Sequence, residues 1–410
     1  MADDAALQRA MAAHKGGRLH EAEVGYRSIL RSRPRDPDAL NFLGMLCVQR
    51  GDAAGGVDFL RRSVQSVSAN PHAWLNLGNA LMAGGAVEEA RSAFQAACER
   101  APQMSEAWFN LGVCHRRLKS PTEALSCFRS AVEHGPGYAA AYEAMATLLY
   151  RAGRNSEAAE AYREWLKYEP DNSIARHMLA ATSGEGTPAR AGDDYVAEMF
   201  DKFAETFDEN LQELGYRAPE LVAAALRELL RPVAAAAGVA NAEVAEAAWA
   251  ARPDVLDAGC GTGLCGPLLR PLARSLVGVD LSGGMTGKAR ARGGYDELVV
   301  GELVSFMASR AGAFDAIVSA DTLVYFGALE EALRAAHASL RDGGLLVFTV
   351  ERVEGDARYR LEPHGRYAHS EAYVREAMSE AGFRDVTLAQ EALRRERGAE
   401  VNGYVVVGRR

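Results

Sequence analysis

The run Asp257-Ala-Gly259-Cys260-Gly261-Thr-Gly263 is the part of this chain best suited to chemistry. It follows a short apolar run, Val255-Leu256, and its glycines permit positive φ and close approach of a small molecule to the backbone. Asp280 lies 23 residues beyond Asp257, after a second apolar run, Ser275 to Val279. A carboxylate at that place can accept both hydroxyls of a ribose, and the spacing fits one strand-helix-strand step. Gly261-x-Gly263-x-x-Gly266 also satisfies the dinucleotide pattern, so this motif alone keeps a nicotinamide cofactor in play.

Candidates for acceptor chemistry come later. Ser319-Ala-Asp321-Thr-Leu-Val-Tyr325-Phe326 follows an apolar run and is expected at the carboxyl edge of the sheet, where Asp321 and Tyr325 could position an acceptor. Asp321 reads equally well as a helix cap. Glu362-Pro-His364-Gly-Arg366-Tyr367-Ala-His369-Ser370 gathers two histidines, an arginine and a tyrosine. His369 is the general-base candidate, because histidine titrates near neutral pH. Arg366 could bind a carboxylate bidentately, with Tyr367 beside it on the substrate. The plainer reading makes Ser370 a helix N-cap and its neighbours polar loop groups.

These groups need a scaffold. From Asp254 on, apolar runs alternate with helical stretches: Val255–Ala258, Ser275–Val279, Asp296–Val300, Phe314–Ser319 and Leu345–Val350 read as strands. Alternation of this kind predicts a parallel sheet with helices on both faces. Val386–Leu393 and Val401–Val407 read as an antiparallel hairpin with a polar turn. Upstream, Phe200, Phe203, Phe207 and Leu211 recur every three to four residues, which predicts an amphipathic helix. That helix either packs on the domain or forms a water-excluding lid, with Phe200 and Phe203 on the substrate side. Glu220 to Ala237 reads as helical, and 238–250 as an Ala-rich helix or connector.

The first 172 residues repeat. Trp74, Leu77, Gly78, Ala90, Phe94, Ala97 and Pro102 return 34 positions later as Trp108, Leu111, Gly112, Ala124, Phe128, Ala131 and Pro136. This period resembles the tetratricopeptide repeat, a helical hairpin whose small residues admit close helix contact. Five repeats are expected at 3–36, 37–70, 71–104, 105–138 and 139–172, then a capping helix, giving a repeat domain over 3–181. The small, polar stretch 182–193 reads as a linker. Resemblance to peptide-binding repeat proteins implies a concave face carrying Asn41, Asn76, Asn79, Asn110, Arg116 and Arg117. Asn76 and Asn110 are equivalent and could grip a peptide backbone. A solvated wall or a homodimer contact is the alternative.

Residues 194–410, with lead-in lid helices over 194–250, resemble class I S-adenosylmethionine-dependent methyltransferases. The resemblance rests on Asp257 before the glycine series, on Val279-Asp280-Leu281-Ser282-Gly-Gly-Met285, on Val300-Gly301-Glu302-Leu303, on Phe314-Asp315 and on Gly343-Gly344. It implies a Rossmann-like, mostly parallel seven-stranded sheet and S-adenosylmethionine as cofactor. It implies that Asp257 meets the methionine end, Asp280 binds ribose, and Leu281 and Met285 contact adenine. Gly259, Cys260, Gly261 and Gly263 would cradle the cofactor, and Glu302, beside Leu303, would accept from the adenine amino group. Aspartate is more usual there, and Glu302 could instead serve a helix N-terminus. The fourth-strand segment is not the Asn/Asp-Pro-Pro-aromatic sequence of adenine and amide methylating enzymes. The whole chain resembles bacterial tetratricopeptide-repeat methyltransferases through Phe200-Asp201, Phe207-Asp208, Tyr216-Arg217-Ala-Pro219 and Arg366-Tyr367-Ala-His369-Ser370.

The expected activity is methyl transfer to a protein or peptide recruited by the repeats. A small-molecule acceptor, with the repeats used for dimerisation or recruitment, and a non-catalytic scaffold are the alternatives. Composition fits: 410 residues suggest two or three domains, and a net charge of -9 disfavours nucleic acid as main partner. Six scattered cysteines show no zinc spacing, predicting no metal site and a reducing cytoplasm. No apolar run predicts a membrane span, and the acidic start Met1-Ala-Asp-Asp predicts no signal peptide.

Overall fold

The computed structural model describes residues 2–236, 252–396 and 398–410, so the whole Ala-rich 238–250 stretch lies outside the described residues. Ten helices come first: α1 (Ala2–Lys15), α2 (Leu19–Ser32), α3 (Pro37–Gln49), α4 (Ala53–Ser66), α5 (Pro71–Ala83), α6 (Val87–Arg100), α7 (Ser105–Arg117), α8 (Pro121–His134), α9 (Ala139–Arg151) and α10 (Asn155–Trp165). Helices α3, α5, α7 and α9 begin 34 residues apart, as the period requires. Local chemistry sets the starts: Asp36 Oδ1 accepts from Ala39 N at 2.8 Å, Asp52 Oδ1 from Gly55 N at 2.8 Å, and proline opens α3, α5 and α8.

The small residues of the repeat are packing residues. A Cβ on Gly78 would meet the Phe94 ring at 2.4 Å, and one on Gly112 would meet the Phe128 ring at 2.6 Å. The tryptophans repeat their geometry as well: Trp74 Nε1 donates to Ser68 O at 2.8 Å, and Trp108 Nε1 to Pro102 O at 2.7 Å. Gly78→Ala should therefore destabilise the repeats by about 1–2 kcal/mol, overpacking outweighing the helical gain. Thermal unfolding of the full chain should show it; an unchanged or raised midpoint would refute the packing argument.

The compact units are Met1–Pro170 and Asp171–Arg410. Helix α11 (Ser173–Ser183), expected to cap the repeats, belongs to the second unit: His177 Nε2 bonds Gly365 O at 2.8 Å. The expected linker is also tied down there. Ala191 N donates to Tyr325 O at 2.8 Å, and Gly327 N and Ala328 N donate to Ala189 O, each at 2.8 Å.

Helices α12 (Asp193–Phe203), α13 (Phe207–Glu213) and α14 (Ala218–Ala236) lead into the sheet. Then come β1 (Asp254–Ala258), α15 (Gly266–Leu269), β2 (Ser275–Asp280), α16 (Gly283–Arg292), β3 (Glu297–Val300), α17 (Leu303–Ala308) and β4 (Phe314–Ser319). The chain continues with α18 (Glu330–Ser339), β5 (Leu340–Arg352), β6 (Tyr359–Leu361), β7 (Tyr367–His369), α19 (Glu371–Glu380), β8 (Arg384–Glu396) and β9 (Ala399–Arg409). The order β3-β2-β1-β4-β5 is parallel; β9 joins β5 antiparallel and β8 joins β9.

The sheet therefore has nine strands, not the expected seven. The two extra strands are β6 and β7, in the stretch read as polar loop. There β7 pairs with the end of β5 through Glu351↔Ala368 and Arg352↔His369. Both faces are covered. Leu303, Phe306, Leu333 and Tyr373 bury against one side, and Val222, Leu226 and Leu269 against the other. Among the described residues no helix is long and apolar enough to cross a membrane.

Candidate functional site

The turn leaving β1 is folded back under β2. Gly259 N and Cys260 N both donate to Val279 O, at 2.8 and 3.0 Å. Asp280 ends β2, with Oδ2 accepting from Gly261 N and Oδ1 from Ser282 N, each at 2.9 Å. Gly261 has φ 53° and open space where a Cβ would stand. Gly261, Cys260, Asp280, Leu281, Met285 and Glu302 line one cavity. Burial pushes the Asp280 carboxyl up, against the opposing pull of its backbone donors.

Several expected cofactor residues lie elsewhere. Gly263 is outside the lining; a Cβ there would meet Ala289 at 3.1 Å and Tyr295 at 3.2 Å. Asp257 is likewise outside it and fully buried, its Oδ2 accepting from Tyr295 Oη at 2.6 Å. Its Oδ1 has no partner among the described residues. Asp257 anchors Tyr295, whose ring fills the space that Gly263, Gly266 and Gly278 leave empty. Glu302 serves twice: it lines the cavity and caps α17, accepting from Val304 N and Ser305 N at 2.9 and 2.7 Å.

Burial without enough donors raises the Asp257 carboxyl well above its ordinary value, to about 7. The folded state thus keeps a proton that the unfolded chain releases. This contribution to stability is complete below about pH 4 and falls as the pH rises through about 7. Asp257→Asn should flatten that fall, read by urea unfolding of the cofactor-free chain at pH 5 and pH 8. An unchanged difference between the two pH values would count against the buried acid.

The lead-in segment meets the glycine turn and helix α16 through carboxylates. Asp201 on α12 accepts from Ser282 Oγ and from Gly284 N, the latter at 3.0 Å. Asp208 on α13 accepts from Thr262 Oγ1 at 2.5 Å and pairs with Arg292, and Glu205 pairs with Lys288 at 2.6 Å. Phe200 lines the cavity and meets the rings of Phe207 and Tyr325 edge-on, centroids 5.8 and 5.5 Å apart. Phe203 does not line it and is 51% exposed. Helix α12 turns that side chain away from the cavity, opposite to the expectation.

The far end of the cavity holds ions. Asp321 sits just past β4 with φ 56°, its N–H donating to Thr349 Oγ1 at 2.8 Å. Arg394, on β8, is 1% exposed at its side chain. It bonds Asp321 Oδ2 at 2.9 Å, Glu396 Oε1 at 2.7 Å, and Glu351. Arg366 bonds Glu351 Oε1 at 2.8 Å and pairs with Glu396. His364 Nε2 lies 3.3 Å from Glu351. The hydrogen bond from His364 and the guanidiniums of Arg366 and Arg394 hold Glu351 far below the usual carboxylate range despite its burial. Burial pushes Asp321 up, and raises the Tyr325 phenol to about 12.

Two expectations fail here for a physical reason. His369 lies in β7, fully buried, with Nε2 held by the carbonyls of Phe326 and Gly327 at 2.8 and 3.2 Å. It does not line the cavity, and burial lowers it to about 4, so it is no surface base. Tyr367 is fully buried too, its hydroxyl donating to Pro188 O at 2.8 Å. Both belong to strand pairing that the residue types did not reveal. Arg366 does line the cavity, but its guanidinium is committed to Glu351 and Glu396 rather than offered to a carboxylate ligand. Sequence reading missed Arg394, Glu351, Glu396, Tyr216 and Arg190. A charged pair inside an apolar β-run, Arg394-Arg395, was the available signal.

In the repeats, Asn76 Nδ2 donates to Asn41 Oδ1 at 3.0 Å and Asn110 Nδ2 to Asn79 Oδ1 at 3.1 Å. The amides expected to grip a ligand thus also tie neighbouring repeats together. All six cysteines are free and buried, and no group able to hold a metal occurs among the described residues.

A doubly covered, largely parallel sheet with a glycine turn after β1 and a carboxylate ending β2 defines an α/β domain built for a nucleoside-bearing cofactor. The comparisons sharpen this: residues 206–388 match the family model of a methyltransferase domain, and residues 7–139 and 115–182 match tetratricopeptide repeat models. The chain joins tetratricopeptide repeats to a methyltransferase domain.

Similar curated proteins include malonyl-[acyl-carrier protein] O-methyltransferase of Geobacter sulfurreducens, 31% identical over 33% of this chain and 58% of that one. Human (Homo sapiens) methyltransferase-like protein 27 is 29% identical over 40% of this chain and 60% of that one. The chain thus spans about three fifths of the length of these relatives. Among solved structures, that of MamA is 20% identical, covering 40% of this chain and 96% of that one at a TM-score of 0.38, and no conclusion rests on it.

Proposed function

We propose that this chain transfers a methyl group from S-adenosylmethionine to a protein or peptide acceptor held by the repeats. The observation that carries the cofactor is Asp280: a half-buried carboxylate bonded to Gly261 N and Ser282 N, facing a cavity where Gly261 leaves room for a ligand. Each of its oxygens keeps a lone pair for a ribose hydroxyl. Leu281 and Met285 supply an apolar bed for a base, and Glu302 stands at hand for its amino group. Bound S-adenosylmethionine would supply an activated methyl group. The chain's own residues orient and dry the site: Phe200, Phe207 and Tyr325 wall it, Asp208 fastens that wall to the glycine turn, and Asp201 fastens it to the start of α16.

Support for a docked acceptor comes from the repeats. Arg116 is partly desolvated beside Arg117 and Arg151, and no ion pair forms for any of the three among the described residues. Three such cations favour an acidic segment of a partner.

Calorimetry of the full chain against S-adenosylmethionine and NAD tests the cofactor; binding of NAD alone would sink the reading. Incubating a host lysate with methyl-labelled cofactor then tests the acceptor. Label in protein is expected, and label confined to small molecules would overturn the docking half.

A further inference from the structure

Three arginines line the cavity, and none is available to a ligand's carboxylate. Arg190 lies 3.1 Å from Asp193 Oδ1 and 3.1 Å from Glu302 Oε1. Arg366 is shared between Glu351 and Glu396, and Arg394 among Asp321, Glu351 and Glu396. No lysine or histidine lines the cavity. At the acceptor end two guanidiniums therefore face three carboxylates, with His364 set against Glu351 alone. An anionic acceptor entering there would meet surplus negative charge and no free donor cation.

The same end suits a cation. Asp321 Oδ1 is buried and has no hydrogen-bond partner among the described residues, a costly state unless a donor completes it. Its backbone holds φ 56°, strain that the fold keeps at the cavity wall. Phe200, Phe207, Tyr216, Tyr325 and Phe326 line the same cavity. Aromatic faces next to a carboxylate attract ammonium groups.

We infer that the methyl acceptor is an amine nitrogen that enters protonated and gives its proton to Asp321. This rests on the methyltransferase reading above and narrows it. The ammonium N–H passes a proton to Asp321 Oδ1 and keeps the electron pair as a neutral amine. That lone pair forms the new N–CH3 bond as the bond from the methyl carbon to sulfur breaks, its electrons staying on sulfur. The nitrogen ends as a methylated ammonium, and the proton leaves Asp321 to solvent when product departs. The raised affinity of Asp321 for protons, caused by burial, assists the first transfer. Arg394, fixed to Asp321 Oδ2 at 2.9 Å, is a positioning residue that keeps the other oxygen turned to the acceptor.

The test does not need the natural acceptor. The full chain is saturated with S-adenosylhomocysteine, then titrated at pH 7 with benzylammonium and, separately, with benzoate, following binding by calorimetry. Benzylammonium should bind at least about tenfold more tightly than benzoate, and Asp321→Asn should weaken it about fivefold, a charge contribution lost while the aromatic faces remain. Asparagine tolerates the positive φ, so the variant keeps its backbone; circular dichroism and retained S-adenosylhomocysteine binding check this. Tighter benzoate, no preference, or no binding of either probe overturns the inference. So does an Asp321→Asn effect seen only as weaker S-adenosylmethionine relative to S-adenosylhomocysteine, because the cluster would then serve the sulfonium. Failure of S-adenosylhomocysteine itself to bind would instead bring down the methyltransferase reading.

Discussion

Asp280→Ala should cost S-adenosylmethionine affinity about a hundredfold or more while leaving the fold intact. Two hydrogen bonds to a charged acceptor contribute about 1.5–3 kcal/mol each, and a hundredfold change in Kd is about 2.7 kcal/mol. A second loss adds to the first. Asp280 holds Gly261 N and Ser282 N at 2.9 Å, so its removal also loosens the turn that must lie against the cofactor. Asp280→Asn keeps one acceptor oxygen and should lose about tenfold. Calorimetry of the full chain gives the affinity, and circular dichroism the fold. Undiminished binding by Asp280→Ala would mean that the cofactor sits elsewhere.

Removing Arg394 should be the most destabilising single change in the catalytic unit. Its guanidinium is 1% exposed and is bonded to Asp321, Glu351 and Glu396. Arg394→Met strips Asp321 of its guanidinium and leaves Glu351 and Glu396 to Arg366, and breaking a buried pair from one side costs about 3–5 kcal/mol. For a unit of this size that is a fall in Tm of about 10 °C. Arg394→Lys should rescue little, because an ammonium cannot span three carboxylates as a planar fork does.

The sign with pH is fixed by the same contacts. In the wild type Glu351 is held low and Glu396 lowered, so their contribution is present at neutral pH and lost as the pH falls through their folded values. In Arg394→Met much of it is already gone. The gap between variant and wild type should therefore shrink as the pH falls below about 4.5, and adding Glu351→Gln should recover part of it. A gap that widened in acid would show that the network is not what stabilises this end of the sheet.

The two halves of the cavity differed in how plainly the sequence displayed them. The cofactor half is local: β1, the glycine turn, β2 and Asp280 fall within Asp254 to Asp280, and the alternation of apolar run and helix carries the geometry with it. The other half is assembled from Tyr216, Asp321, Glu351, Arg366 and Arg394, which only the strand order brings together. Spacing could not announce that.

His369 was misjudged because histidine, arginine and tyrosine in a short polar stretch look available. In the fold Tyr367, Ala368 and His369 are all buried by pairing with β5 and β6. The tail strands were drawn too short because Arg394-Arg395-Glu396 resembled a turn. They remain in β8 since three carboxylates wait for Arg394, an example of tertiary contacts overriding a local polar signal. Asp257 was given a cofactor role that its spacing allowed, whereas its contact with Tyr295 needed the α16–β3 connection to be seen.

The segment before Asp193 changes how the molecule can be cut. Pro188 O receives the Tyr367 hydroxyl, Ala189 O receives two amides of the 326–328 bend, Arg190 bonds Glu302, and His177 reaches Gly365 O. A fragment begun at Asp194, where the sequence alone would place the enzyme's first residue, lacks all four and strips Arg190 and Ala191 from the cavity wall. Inactivity in such a truncation would reflect a torn edge and not dependence on the repeats. A scission between Pro170 and Asp171 spares each of those bonds, so that is where docking and catalysis can be fairly separated.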